Sequence, residues 1–552
     1  MIVVVVTGWL LLGVLLVVAW PRIAADRAVR TGALLLTLAF SLVHQLLFAA
    51  VPPDAFITFR YAQNIADGNG AVFNAGERVE GYASFLWTVL IALPKTLFGS
   101  DIAATASVLS VCCALGCVLL AYLVVNRIVA GAERGSPALG VVAAALTAGT
   151  SGLAAYGASG TETPLFLLLV LGICYALAGG HPVVAGVLAA LVLMTALEGA
   201  VLVLVAGLWL ALNATRERLS WWAPAGYTLG ALVLAVPWTA WRMTYYGHLT
   251  PNWLVAESGD DLAARLASGW PYLTGFSLLH QGFLLLALIA VVVLARWRGA
   301  GDKAARSLVW MIFVTAVLYT VIVTLGGGDE LPAWRRLLPV PPLLAIGAAA
   351  ACGLIGTRRV VPSPSPRRTV AGHRGVPVVT VGLVGLSLLV SISGRELLPR
   401  IEENRNAAAE LGEIGGWLGE RLPSGSAVAT YANGALSYRA GTRVFVVDVR
   451  GRTDEYIARA ASGVGPSGAL VADYDYVVNI RRPAVAVTST DGYADRQRCA
   501  IDPVYAGRYQ VATFRREGTG QWIAVYPRSE QAGSLINELD ADPRFGYVPC
   551  PS

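Results

Sequence analysis

Charge is what this sequence lacks most. Asp, Glu, Lys and Arg make up 14% of its 552 residues, while 56% are hydrophobic; a soluble globular protein carries roughly 25% charged residues. The shortage excludes an ordinary soluble domain and points to a polytopic membrane protein. Histidine is scarce as well. There are five, none near His248 in sequence, so no zinc site is proposed. No Walker motif or dinucleotide fingerprint occurs, which argues against ATP-driven or sugar-nucleotide chemistry. No internal repeat of fixed period is present. The first residues lack a basic n-region and a small-residue cleavage site, so they read as a retained helix and not as a signal peptide. The net charge of +6 does not indicate nucleic acid, because many of the basic residues sit in short loops between apolar runs, where they set topology.

What the chain does have is long apolar runs. A spanning helix needs roughly 17–25 residues. Runs near 2–19, 32–51, 101–125, 137–157, 162–179, 182–197, 199–213, 224–241, 277–296, 307–326, 336–356 and 375–393 predict about 12 spans. Those on either side of Glu198 are short. Ser84–Phe98 is apolar but broken by Pro94 and Lys95, as in an interfacial or re-entrant helix. Basic residues cluster at Arg22–Arg30, at Arg127 and Arg134, at Arg216 and Arg218, at Arg296–Arg306 and at Arg358–Arg374. With alternating spans all these loops share one side, the cytoplasmic side by the positive-inside rule. The opposite side receives 52–98, the 156–163 turn, 242–280, the 326–336 turn and the tail.

The tail changes character. After helical periodicity over Ile401–Leu418 come the β-like runs "AVATY", "RVFVV", "YDYVV", "AVAVT" and "WIAVY", separated by Gly and Pro. The expected fold is therefore an α-helical polytopic membrane domain over 1–394 with an external loop at 52–98. An extracytoplasmic α/β domain follows over 395–552. "VPSPSPRR" at 361–368 reads as a cytoplasmic linker. Five of the seven cysteines lie in apolar runs and read as small core residues. Cys499 and Cys550 lie in the polar tail, where an oxidising compartment would let them form a disulfide.

Polar residues gather on the predicted outer face. "PPDAFITFRYAQNIADGNGAVFNAGERVEGY" follows a long uncharged stretch and brings Asp54, Arg60, Asn74, Glu77, Arg78 and Glu80. "ASGTETPLF" places Glu162 at a helix start. "WRMTYYGHLTPNW" offers Arg242, Tyr245, Tyr246, His248 and Asn252, and "GGGDELPAWRRLLP" offers Asp329, Glu330, Arg335 and Arg336. Four such loops on one face suit an external site with carboxylates for acid–base work and arginines for an anion. Plainer roles stand beside this one. Asp54 or Glu162 would cap a helix, Glu77, Arg78 and Glu80 would pair on a loop surface, and Asp329 would brace Arg335 or Arg336. Glu198 would be either an intramembrane functional carboxylate or the marker of a helix end. Tyr431, Tyr438 and Trp417 would stack on carbohydrate or belong to the core.

These motifs resemble those of GT-C glycosyltransferases of actinobacterial cell walls, in particular the branch containing arabinofuranosyltransferase B, the terminal β-(1→2) arabinofuranosyltransferase of arabinan. The similarity covers roughly residues 45–345, with "GNGAVFNAGERVE" the most specific piece. It extends more weakly to "VDVRGRTDEYIAR" and the two late cysteines. The resemblance implies a polyprenyl-phosphate sugar donor, a cell-envelope polysaccharide acceptor and inversion at the outer face of the plasma membrane. It implies a first-loop carboxylate, Asp54, as general base. Donor-phosphate contacts would come from Arg60, Arg335 and Arg336, with Arg335 matching the family's motif arginine. Substrate contacts would come from Asn74, Glu77, Glu80, Glu162, Tyr246, His248, Asn252 and Asp329. No cofactor is specified; a divalent cation held by Asp54 and another carboxylate is an option. The protein is expected to act as a monomer without nucleic acid. The sequence departs from the family at Pro53, where an aspartate is usual, at "ALE" around Glu198 in place of "RPE", and at Glu257 in place of a lysine. Other readings keep the lipid donor but change the sugar to mannose or the acceptor to glycolipid or protein. A lipid-linked sugar transporter and an inactive accessory protein also stay open.

Overall fold

The computed structural model describes residues 2–130, 136–257, 262–296, 303–329, 331–355, 375–393, 397–460, 473–487, 499 and 503–550. Glu330 and the 361–368 linker lie outside the described residues. Every apolar run expected to span is helical, as backbone groups in hydrocarbon require. Five helices are long and apolar enough to cross a membrane: Arg27–Leu47, Ile102–Val129, Leu197–Thr215, Lys303–Leu325 and Pro332–Ile355. Two bent pairs, Ala138–Ala148 with Ser151–Gly157 at 66° and Leu262–Leu279 with Gln281–Arg296 at 81°, raise this to as many as seven among the described residues. The other apolar runs form shorter helices such as Pro182–Thr195, which at about 1.5 Å per residue falls short of a bilayer core of about 30 Å. That helix stops because Ala196 is extended, and Glu198 sits in a 3-10 turn before the next helix. The protein is a multi-pass membrane protein.

By its contacts the chain forms two compact units: Met1–Ala49, Ala106–Trp238 and Leu262–Ile401 in the first, and Ala50–Thr105, Thr239–Asp261 and Glu402–Ser552 in the second. Composition suggested a division near residue 394. Contacts instead gather the first polar loop and the 239–261 segment with the tail. In the first unit, Ala138–Ala148 is buried at every position and Val340–Ile355 at nearly all. Their alanines and glycines allow close helix approach where lipid supplies no hydrophobic drive.

The second unit is built on six strands: β1 (Ala427–Thr430), β2 (Phe445–Asp448), β3 (Val485–Val487), β4 (Ala512–Arg516), β5 (Trp522–Pro527) and β6 (Phe545–Val548). Their order is β2-β1-β3-β5-β4-β6. The β1 strand pairs in parallel with β2 and β3, setting Val428 opposite Val446 and Val485; the other pairings are antiparallel. The preceding helix buries Trp417, whose indole donates to the Leu539 carbonyl at 2.9 Å and stacks on Phe545. Gly415 makes the close approach possible, since a Cβ there would lie 2.1 Å from the Leu436 carbonyl oxygen. Trp417 is thus a core residue and not a carbohydrate platform. Tyr438 likewise packs against Phe56 and Phe59, and Tyr431 packs against the core beside Tyr474. "YDYVV" is not a strand. Asp473 accepts the Tyr476 N–H at 3.0 Å and starts a helical turn that continues as a π-helix over Tyr476–Arg481. The β4 and β6 strands fall outside the β-like runs of the sequence because neither "ATFRR" nor "FGYV" has a clean apolar alternation. Cys499 and Cys550 are joined by a disulfide, with Cα atoms 5.5 Å apart.

Candidate active site

The polar patch after Val51 belongs to the second unit, and most of it is occupied there. Helix Ala55–Ala66 buries one face, including Phe56, Phe59, Arg60, Tyr61 and Asn64. Arg60 is 1% exposed. Its Nε donates to Phe73, one terminal nitrogen to Ser437 and Gly441, and the other to Asn74 and Val444. Five N–H groups are all the guanidinium has. Burial pulls its pKa down to about 9, which still leaves it cationic at neutral pH. Arg60 therefore offers nothing to a donor phosphate.

Asn74 presents its amide to the edge strand β2, accepting from the Val446 N–H at 3.0 Å and donating to the Val446 carbonyl at 2.9 Å. One side chain here satisfies an edge that would otherwise stay unpaired. Glu77 binds Arg481 at 2.6 Å, and Arg481 also holds Asp454 at 2.9 Å. Glu80 takes the Arg242 fork at 2.8 and 2.6 Å with both side chains buried. Tyr246 donates to the Ala71 carbonyl at 2.7 Å. Asn252 reaches the Gly451, Arg452 and Asp454 carbonyls at 2.8, 3.1 and 3.2 Å. His248 meets Glu455 at 2.5 Å. Each of these residues, expected to contact substrate, also makes at least one polar contact within the protein, while among the described residues Asn252 Oδ1 accepts no hydrogen bond and the His248 side chain stays 42% exposed. Buried loop carbonyls need donors, and the first loop and the 239–261 segment supply them. With about 58% of its side chain exposed, Asp54 behaves differently. It occupies the position before helix Ala55–Ala66 but makes no side-chain cap hydrogen bond. Its Oδ2 instead accepts from Arg452 at 2.9 Å.

In the first unit the turn before helix Val340–Ile355 carries Asp329 and Arg335. Asp329 Oδ2 accepts from Arg335 Nε at 3.0 Å, so the bracing role is real. A terminal nitrogen of Arg335 also lies 3.8 Å from Glu162. Glu162 precedes helix Thr163–Ala178 without capping it through its side chain. Two motifs some 170 residues apart thus meet in one charged cluster, flanked by the Tyr156 hydroxyl, which donates to the Pro332 carbonyl at 2.6 Å. Ala333 and Trp334 hold left-handed φ angles of 62° and 49°. Such strain in residues with a Cβ persists only where surroundings enforce it, and it gathers at functional sites. Here the enforcement comes from Gly275 and His280 against Trp334. Arg336 is half-buried.

No three His, Cys, Asp or Glu side chains come together as a metal site requires among the described residues. Arg452 puts a positive charge on Asp54 Oδ2, which does not fit the divalent cation considered for that carboxylate.

A domain of unknown function, DUF8728, matches residues 399–526. A terminal β-(1→2)-arabinofuranosyltransferase of Corynebacterium glutamicum is 29% identical over 335 residues, covering 53% of this chain and 47% of that protein. The one of Mycobacterium tuberculosis is 30% identical over 243 residues, covering 41% and 38%. The chain thus spans less than half the length of these curated relatives. The crystal structure of ArnT from Cupriavidus metallidurans bound to undecaprenyl phosphate superposes with a TM-score of 0.56 at 16% identity, over 90% of this chain and 98% of that one. The protein therefore has the ArnT fold, and in sequence it resembles terminal β-(1→2)-arabinofuranosyltransferases.

Proposed function

We propose that this protein is a membrane glycosyltransferase that transfers a sugar, arabinofuranose, from a polyprenyl phosphate to a cell-envelope polysaccharide on the outer face of the plasma membrane. The observation that carries this reading is the Glu162–Arg335–Asp329 cluster on its strained turn. Asp329 takes Nε of Arg335 and orients the fork, which matches phosphate oxygens and stabilises charge on the leaving lipid phosphate. Arg336 is the second cation for the same task. Asp54 takes the proton of the acceptor hydroxyl as its oxygen bonds to the anomeric carbon and the bond to phosphate breaks, which inverts that carbon. The named relatives act as arabinofuranosyltransferases and the ArnT structure holds undecaprenyl phosphate; both support the donor class and the sugar.

The test is transfer by purified protein from polyprenyl-phosphate arabinofuranose to an arabinan oligosaccharide. Arg335→Ala is expected to weaken donor use by roughly tenfold, and Arg335→Lys to restore only part of it, since Lys is a point charge without the fork. Donor use at the wild-type level in Arg335→Ala, in a protein of unchanged melting temperature, would move the phosphate contact elsewhere. Transfer of mannose but not arabinofuranose would change the sugar.

Topology belongs to the same proposal, with about 12 spans and the second unit extracytoplasmic. Cysteines at Arg127, Arg298 and Arg367 should be labelled only after the membrane is permeabilised. Asn74 and Thr453 are buried, so the outer side is better read at exposed Asp67 and Ser534, which should react in intact cells. Labelling of Ser534→Cys only after permeabilisation would place the second unit in the cytoplasm and overturn the proposed outer-face reaction.

A further inference from the structure

We propose that Arg452, in the loop after strand β2, is a positioning residue for Asp54, so that the tail supplies the partner that orients the base of the first loop. The inference rests on the reading of Asp54 as the base. An exposed ion pair is ordinarily weak because holding two side chains in one geometry costs entropy. Here both ends are already fixed by the fold. On the arginine side, Asp448 is buried beneath the loop and accepts the Arg450 N–H at 3.0 Å, the Thr453 N–H at 2.9 Å and the Thr453 hydroxyl at 3.2 Å. Asn252 ties down the Gly451 and Arg452 carbonyls, and Asn433 donates to the Thr453 hydroxyl at 2.9 Å. On the aspartate side, Gly434 packs so tightly that a Cβ would lie 1.9 Å from the Pro53 carbonyl oxygen. The turn that follows β1 therefore grips the backbone immediately before Asp54, and the neighbouring loop presents Arg452 to its carboxylate.

The pairing uses one oxygen. Arg452 takes Oδ2, and among the described residues Oδ1 makes no hydrogen bond. A carboxylate held by one oxygen with the other open to solvent is what a base needs to receive a proton from a hydroxyl in a set direction. Arg452 itself takes no proton. Its contribution is the orientation of a side chain that would otherwise rotate on a largely exposed residue.

The experiment combines a rate with a readout that does not depend on activity. Transfer is measured for wild type, Arg452→Gln, Arg452→Lys, Asp54→Asn and the Arg452→Gln/Asp54→Asn pair. Reaction of the Asp54 carboxyl with a water-soluble carbodiimide and glycinamide is followed at one fixed pH by peptide mass spectrometry. Arg452→Gln should lower kcat about tenfold with KM for the donor unchanged, and Arg452→Lys should recover part of the loss. The paired variant should be no slower than Asp54→Asn alone, because the two residues act as one unit. Labelling of Asp54 should rise about two- to fivefold in Arg452→Gln, the scale set by an exposed ion pair. A wild-type kcat in Arg452→Gln, or additive losses in the pair, would overturn the positioning role. Unchanged labelling would overturn the pairing itself, even in a protein that transfers no sugar. Absence of transfer by the wild type with increased labelling in Arg452→Gln would overturn the proposed reaction, and with it the role of Arg452 in that reaction, while leaving the pair established.

Discussion

Asp54→Asn is expected to cut sugar transfer roughly 10²-fold or more, the scale of losing a general base, with normal expression, melting temperature and donor binding. The structure makes this variant informative. Asp54 is the most exposed carboxylate of the residues expected at the site, and it makes no cap hydrogen bond that its replacement would disturb. Asn keeps the size of the side chain and an oxygen for Arg452, but it cannot take up a proton at neutral pH. Folding and chemistry are thereby separated. A loss of stability matching the loss of rate would return Asp54 to a structural role. Wild-type turnover would pass the base to Glu162 or Asp329, the carboxylates around Arg335.

Arg60→Met should do the reverse. It is expected to destabilise the second unit by about 3–5 kcal/mol, the scale of removing one partner from a buried charged network. Phe73, Ser437, Gly441, Val444 and the Asn74 side chain would all lose a donor, all but Gly441 in buried positions. Arg60→Lys should recover little, because an ammonium has three donors and cannot span five acceptors around a plane. The measurements are the thermal transition of the whole protein in detergent and the protease resistance of residues after Glu402. A stable Arg60→Met protein with weakened donor binding would contradict the clamp and restore the phosphate role first expected of this arginine.

Between them these variants answer why so polar a stretch follows the uncharged run ending at Val51. Most of its side chains hold loops of an α/β unit, whose backbone groups need partners, and Asp54 alone among the carboxylates expected at the site keeps a largely exposed side chain.

Much of this was legible in the sequence, because the deciding quantities are local. Transfer of apolar side chains out of water and the need to satisfy backbone groups in hydrocarbon make every long apolar run a helix. The short helix "AFITFRYAQNIA", the helix over Ile401–Leu418 and strands β1, β2, β3 and β5 also follow from periodicity and from Gly and Pro punctuation. The motifs carried the resemblance, because residues that are costly near a membrane stand out against an apolar background. Helix lengths were less legible, since a window of apolar residues cannot tell where a chain will bend, as it does by 66° and 81° in two places. What only the tertiary structure decided is which charges are occupied. Arg60 and Arg335 look alike in sequence, each an arginine in a polar motif near a membrane helix. One is enclosed by five acceptors, three of them on backbone some 380 residues away; the other is braced by a carboxylate on a strained turn and keeps 24% of its side chain exposed. A residue's chemistry depends on how many of its hydrogen bonds the fold leaves unmade, and that number is set by partners distant in the chain.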